Sequence, residues 1–253
     1  MIGWVMGLLG GGGAILAVPI LVYLLHVEES LATAYSLFIV GSTALVGSLR
    51  YWKNGNVDYK SAIYFLIPSV VFVYLTRLFL VPAIPAKMHV LGIGFEKGTL
   101  LMSLFAGVMI LAGVSMIRGR KETDEPFEKP PYLALWVSLW GTLVGFLAGL
   151  LGAGGGFMIV PVLVLFMRLP MKTSVGTSLV IIAGQSLTGF LGAVQAHQQM
   201  EWNFLLRFTA LAFAGMLVGS IISQRSQPEK LKGLFGYFVL LMGGVIIFKE
   251  IFY

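Results

Sequence analysis

The chain has 253 residues, of which 58% are apolar and 11% charged, with a formal net charge of +6 and a mean hydropathy of +0.91. Those proportions exclude an ordinary soluble domain and describe an integral membrane protein. Its basic residues stand singly at the ends of apolar runs, a membrane-surface pattern that excludes a nucleic-acid-binding face. No cysteine is present, which removes disulfides, thiolate nucleophiles and thiolate metal sites.

In chain order, apolar segments lie at residues 2–9 and 14–25 (two halves of a first helix), 31–49, 59–80 and 98–117. After them come 132–151 and 156–167 (two halves of a fifth helix), 173–194, 202–223 and 230–252. Several runs reach the roughly 20 apolar residues needed to cross a hydrocarbon core. Strand-like alternation is absent, so helices must satisfy the backbone. The expected fold class is all-α, a polytopic transmembrane protein of about eight helices. The first segment lacks a basic leader and is not read as a signal peptide.

The one extended polar stretch, residues 119–131, is rich in charge and proline and reads as a linker outside the bilayer. It divides the chain into a first repeat, residues 1–118, and a second, residues 132–253. At an offset of 142, Gly7 falls on Gly149, Gly10 on Gly152, Pro19 on Pro161, Ser36 on Ser178 and Gly47 on Gly189. One residue later in register, Val57-Asp58-Tyr59 faces Met200-Glu201-Trp202; further on, at a shorter offset, Phe95-Glu96-Lys97 faces Pro228-Glu229-Lys230. Repeats with interrupted segments at matching positions point to a transporter.

Loop charge bears on how the broken helices run. If both cross fully, the basic residues divide evenly between the two sides. If both are re-entrant, one side collects Arg50, Lys53, Lys60, Arg118, Arg120, Lys121, Lys129, Arg168, Lys172, Arg225, Lys230 and Lys232. The other then holds only Arg77, Lys87, Lys97 and Lys249. The positive-inside rule prefers the second arrangement, with an inverted repeat and both termini outside the cytoplasm.

The breaks themselves are glycine runs: Gly10, Gly11, Gly12 and Gly13, then Gly152, Gly154, Gly155 and Gly156. Glycine costs about 1 kcal/mol per helical position relative to alanine, so helix fails there. Each failure frees backbone N–H groups at a new helix start, from Ala14 and from Gly156, where the dipole favours an oxyanion. Close helix crossing is the simpler use of such glycines, but it needs fewer of them. Pro19 and Pro161 each remove a donor just beyond and suit a kink held near the break. No Gly-Lys-Ser/Thr and no preceding strand exist to make a nucleotide site.

Hydroxyl and amide groups at mid-depth come next, chiefly Ser36 in the second helix and Thr177, Ser178 and Gln185 in the sixth. Helical spacing places Ser178 and Gln185, seven apart, on one face. Uncharged donors suit an anion that must be released again. Arg77 and Arg207, near helix ends, are expected to snorkel to the membrane surface, and Asp58 and Glu201 to take a capping or dipole role at helix starts. His197 falls in a loop. No general base beside a nucleophile is found in the spans, so no enzyme is expected, and neither a metal site nor a cofactor is expected.

The chain resembles the sulfite exporter TauE/SafE family, also called toluenesulfonate uptake permeases. The resemblance rests on Gly-Leu-Leu-Gly-x-Gly-Gly-Gly followed by Val-Pro, on Ala-x-Ser-Leu or Gly-Thr-Ser-Leu in the next helix, and on Gly-x-Val-Asp-Tyr opening the third. The second copy of the glycine phrase is the better match. The first departs at Ala14, where a third glycine is expected, and at Tyr35, where threonine is. Such a resemblance implies about eight helices in two repeats and transport of sulfite, thiosulfate or an organosulfonate.

The expectation is thus an inner-membrane carrier whose partners are the lipid bilayer, a small inorganic or organic sulfur anion and, as one option, further copies of itself in a homo-oligomer. Its site would comprise the eight glycines named above with Ala14, Pro19, Ser36, Pro161, Thr177, Ser178 and Gln185. A passive anion channel and a non-transporting scaffold are the alternatives.

Overall fold

A computed structural model describes residues 2–9, 14–85, 87–90, 93–118, 133–152, 154–196, 200–225 and 228–252. In the first half the helices are α1 (Ile2–Leu9), α2 (Ala14–Leu24), α3 (Glu29–Lys53), α4 (Tyr59–Ala83) and α5 (Lys97–Arg118). The second half repeats them as α6 (Leu133–Leu151), α7 (Gly156–Phe166), α8 (Met171–Gln195), α9 (Trp202–Arg225) and α10 (Pro228–Phe252). Among the described residues six helices are long and apolar enough to cross a membrane. Exposed leucines such as Leu211, 75% accessible, mark the surface that lipid would cover. The fold is that of a polytopic helical membrane protein.

One element was not expected from the sequence. A short antiparallel hairpin, β1 (Lys87–Val90) and β2 (Ile93–Glu96), joins α4 to α5. Between α9 and α10 only two positions intervene, so the hairpin accounts for the changed spacing between the copies there.

Close approaches at glycine fix the direction of each helix. Along α6, a β-carbon added at Gly141 would sit 2.5 Å from Phe65 O, at Gly145 2.5 Å from Ser69 O, and at Gly149 2.7 Å from Thr76 Cβ. Both series ascend, so α6 and α4 run parallel. Similarly, Gly184 meets Leu66, Gly189 meets Val73 and Gly192 meets Arg77, which makes α8 parallel to α4. Helices α6 and α8 therefore point the same way. The chain between them, α7, has to run back, so α6 and α7 form a re-entrant hairpin. At 1.5 Å per residue, α6 is about 28 Å long and α7 about 16 Å, roughly a full and a half crossing.

The first half is built alike. Gly3 abuts Ala212 and Gly7 abuts Met216, so α1 runs parallel to α9. Tyr35 and Gly47 of α3 meet Glu201 and Met216 in the same ascending order. Thus α1 and α3 are parallel and α2 returns between them. In register, Gly3 on Ala212 is the counterpart of Gly145 on Ser69.

Helices of matching position pair across the middle, and they do so antiparallel. Gly41 packs on Leu187, Gly189 on Leu37 and Gly176 on Tyr51; likewise Gly113 packs on Gly236 and Gly243 on Ala106. A two-fold axis relating antiparallel partners lies across the helices, which is the geometry of an inverted repeat. The two hairpins accordingly enter from opposite ends of the bundle.

Local detail repeats with the same offset. Pro19 and Pro161, lacking an N–H, are each followed by a π turn, Ile20–Leu24 and Val162–Phe166. Leu25 N–H donates to Ile20 O at 3.1 Å and Met167 N–H to Val162 O at 3.3 Å. The two non-glycine residues with positive φ among the described residues, His26 and Arg168, are again 142 apart and turn the chain out of each short arm.

The antiparallel α3–α8 contact is open to a clean test because the native chain has no cysteine. Gly41→Cys with Leu187→Cys is expected to cross-link under mild oxidation in membranes. Leu37→Cys with Leu179→Cys, which a parallel pairing would bring together, is expected not to.

Candidate functional site

The tip of the second hairpin begins where α6 ends. Gly152 N–H closes that helix on Ala148 O at 2.9 Å, and the backbone then takes φ of +68° at Gly152, +65° at Gly154 and +63° at Gly155. A side chain in this left-handed region costs about 1–2 kcal/mol per residue, so glycine is required here by conformation. It is also required by space. A β-carbon at Gly155 would lie 2.6 Å from Gln185 Nε2, and one at Gly154 2.6 Å from Val40 Cγ1. Gly155 caps α7, its carbonyl accepting from Met158 and Ile159 at 2.9 and 3.0 Å.

Three helices hold this tip. Ser36 Oγ on α3 donates to Gly152 O at 2.7 Å. From α8, Gln185 Nε2 donates to Gly154 O, and its Oε1 accepts from Ser69 Oγ on α4. All three side chains are fully buried. Buried carbonyls at a chain reversal need such donors, because no water is at hand to replace them. Ser36 and Gln185 thus spend their donors on the glycine backbone.

Arg77 lies against the same tip. It was expected to snorkel, and the structure corrects that: the side chain is only 1% exposed. Glycines make the room, since a β-carbon at Gly152 would collide with Arg77 Nη2 and one at Gly192 would lie 3.1 Å from Arg77 Cβ. The residue sits on a third π turn, Thr76–Leu80, where Val81 N–H reaches Thr76 O. Pro82, unable to donate to the preceding turn, accounts for the shift in the ladder. Arg77 Nη1 donates to Thr33 Oγ1 at 2.9 Å, and Thr33 Oγ1 in turn donates to Ser30 O at 2.7 Å. Nε and Nη2 have no partner, and neither does Ser186 Oγ, which faces Gly154. These are the unpartnered buried side-chain atoms among the described residues, and all of them adjoin the tip.

Sequence alone missed Arg77 because it sits three residues from the end of an apolar run. Register held the signal: the offset that places Asp58 on Glu201 places Arg77 on Ser220, an interior position.

The remaining expected residues lie elsewhere. Thr177 Oγ1 accepts from Asp58 N–H at 2.9 Å, and its counterpart Tyr35 accepts through its hydroxyl from Glu201 N–H at 2.7 Å. The tyrosine that departs from the repeat therefore does the same work as the threonine. Asp58 stands at the N-cap of α4, the helix start expected of it, but makes no side-chain bond to the helix backbone; its carboxylate accepts from Ser61 Oγ instead. Ser178 Oγ turns back to Val175 O at 2.8 Å and lies about 10 Å along α8 from Gln185. Ala14, Pro19, Gly156 and Pro161 are buried in the short arms. Gly10, Gly11, Gly12 and Gly13, with the linker and His197, lie outside the described residues.

Loss of the bridge at Gln185 is expected to cost more than loss of the Ser36 hydroxyl. Ser36→Ala removes one donor, about 0.6 kcal/mol on the membrane average. Gln185→Leu orphans both Gly154 O and Ser69 Oγ, and its melting temperature in detergent should fall further than that of Ser36→Ala.

Comparison with known proteins agrees with this architecture. Over residues 1–246 the chain matches the family model described as sulfite exporter TauE/SafE. It is 27% identical over 256 residues to a "Probable membrane transporter protein" of Xylella fastidiosa (strain 9a5c), covering 99% of this chain and 92% of the relative. With the "Probable membrane transporter protein YunE" of Bacillus subtilis (strain 168) it shares 28% over 270 residues, covering 99% and 95%. No solved structure matches it significantly. The chain belongs to the sulfite exporter TauE/SafE family of membrane transporters.

Proposed function

We propose that the protein is a carrier for a small sulfur-containing anion, such as sulfite, thiosulfate or an organosulfonate, working by alternating access. The observation that carries this reading is the glycine tip of α6–α7, a chain reversal enclosed by three helices in a family of transporters. Irregular backbone inside a membrane protein is tolerated where it is buried in protein or lines a polar path, and discontinuous helices are where carriers bind their substrates.

On this reading the two halves, residues 1–118 and 132–253, rock against each other about the α3–α8 contact. The tip at Gly152, Gly154, Gly155 and Gly156 forms one wall of the site, positioned by Ser36 and Gln185. Gly10, Gly11, Gly12 and Gly13, with Ala14, Thr177 and Ser178, form its counterpart from the opposite end. The prolines Pro19 and Pro161 set the angle of the short arms. No step of this cycle makes or breaks a covalent bond, and none calls for a cofactor.

An orientation in the inner membrane is proposed from loop charge. The ends of the bundle carrying Lys53, Arg118, Arg168 and Arg225 would face the cytoplasm, and both termini the other side. Single-cysteine variants test this. Asn54→Cys should resist an impermeant maleimide in intact cells, whereas Glu28→Cys should react.

Purified protein in vesicles is expected to move labelled sulfite, thiosulfate or methanesulfonate without single-channel currents. Gly155→Leu should stop that flux while remaining inserted and monodisperse. Flux at the native rate through Gly155→Leu would overturn the proposed site, and resolved unitary currents would make the protein a channel.

A further inference from the structure

We propose that Arg77 binds the transported anion directly and takes it side-on, through Nε and Nη2. The proposal deepens the carrier reading above and rests on it for the location of the substrate path. It adds a charged donor to the largely uncharged set expected from the sequence.

The guanidinium is planar, and its donors are fixed relative to one another. Nη1 is committed to Thr33 Oγ1, whose own proton goes to Ser30 O. What remains is the edge formed by Nε–H and Nη2–H, which lie side by side. Both lack a partner, and the side chain is 1% exposed. That edge fits two oxygens carried by one central atom, the bidentate pairing that carboxylates, sulfonates and phosphates accept. A halide, with one centre, meets the two parallel N–H groups only through bent hydrogen bonds and fits the edge less well.

A buried guanidinium with no counter-charge is among the costlier things a membrane protein can hold, and such groups mark substrate paths. Among the described residues no carboxylate bonds to Arg77. Yet four features keep it in place: the π turn that carries it, the missing β-carbons of Gly152 and Gly192, and the Thr33 hydroxyl turned toward it. A ligand bearing one negative charge and two oxygens on one atom supplies what is lacking. Monoanions such as hydrogensulfite or a sulfonate fit that description.

The fork occurs in one half only. Ser220 matches Arg77, and Val175 matches Thr33. The site is therefore single and lies at the α6–α7 tip, where Gly152 must shift for an anion to reach the enclosed edge.

The test uses the full chain in nanodiscs, with methanesulfonate and chloride as probes, read by melting temperature and by titration. Wild type should be stabilised by methanesulfonate and far less by chloride at equal ionic strength. Arg77→Lys keeps the charge but not the fork, and should weaken methanesulfonate binding about ten- to a hundredfold. Arg77→Met should lose the methanesulfonate-dependent rise without melting lower than wild type in anion-free buffer. Native methanesulfonate affinity in Arg77→Lys would overturn the assignment, as would an intact rise in Arg77→Met; should the methionine variant fail to fold, the lysine variant decides. Wild-type flux of sulfur anions in vesicles separates the two layers. Flux with Arg77-independent binding sinks the fork and leaves the carrier. Arg77-dependent binding without flux sinks the carrier and leaves the fork.

Discussion

The constraint on which the α6–α7 hairpin depends is that a chain reversing inside an apolar bundle cannot leave its carbonyls bare. At Gly152 and Gly154 the reversal exposes two acceptors, and one hydroxyl and one amide from other helices cover them. Those donors fix where α3, α4 and α8 must stand relative to the tip. Ser69 and Gln185 extend the bond chain through α4, so three membrane-crossing helices converge on a stretch of four residues. An apolar residue at Ser36 or Gln185 would leave a buried carbonyl of the tip without its donor.

Glycine serves two ends that the sequence does not separate. On α6, Gly141, Gly145 and Gly149 let two helices touch backbone to backbone. At the tip the same residue type supplies left-handed turns. The contact stripe gives the hairpin a rigid long arm, and the turns let a short arm fold back along it. Both are needed for a re-entrant element that stays fixed while its neighbours cross the bundle.

The helices, the breaks and the correspondence between the halves were legible in the sequence, because apolar length and repeated phrases are properties of single segments. Re-entry was legible only through loop charge, since a 19-residue α6 has the length to cross by itself. Partners were harder. Ser36 and Gln185 stood out as mid-depth polar groups, but that they grip glycine carbonyls depends on which helices meet, and composition says nothing of that. Arg77 was misplaced for the same reason: whether an arginine near a helix end reaches the surface or turns inward is decided by the glycines opposite it. The β1–β2 hairpin, four residues per strand, was too short to stand out against its surroundings.

Covalent fusion of the two halves has a consequence that appears at Arg77 on α4. Were the halves identical subunits, any charge in one would be matched by the same charge in its mate, and two unpaired guanidinium groups would share one bundle. Joined in a single chain, the halves can keep the packing residues that symmetry demands, as at Gly3 and Gly145, while differing where a second copy would be ruinous. Arg77 in one half, where the other has Ser220 at the matching position, is such a difference. The protein has the frame of a dimer and the freedom of a monomer to place one charge once.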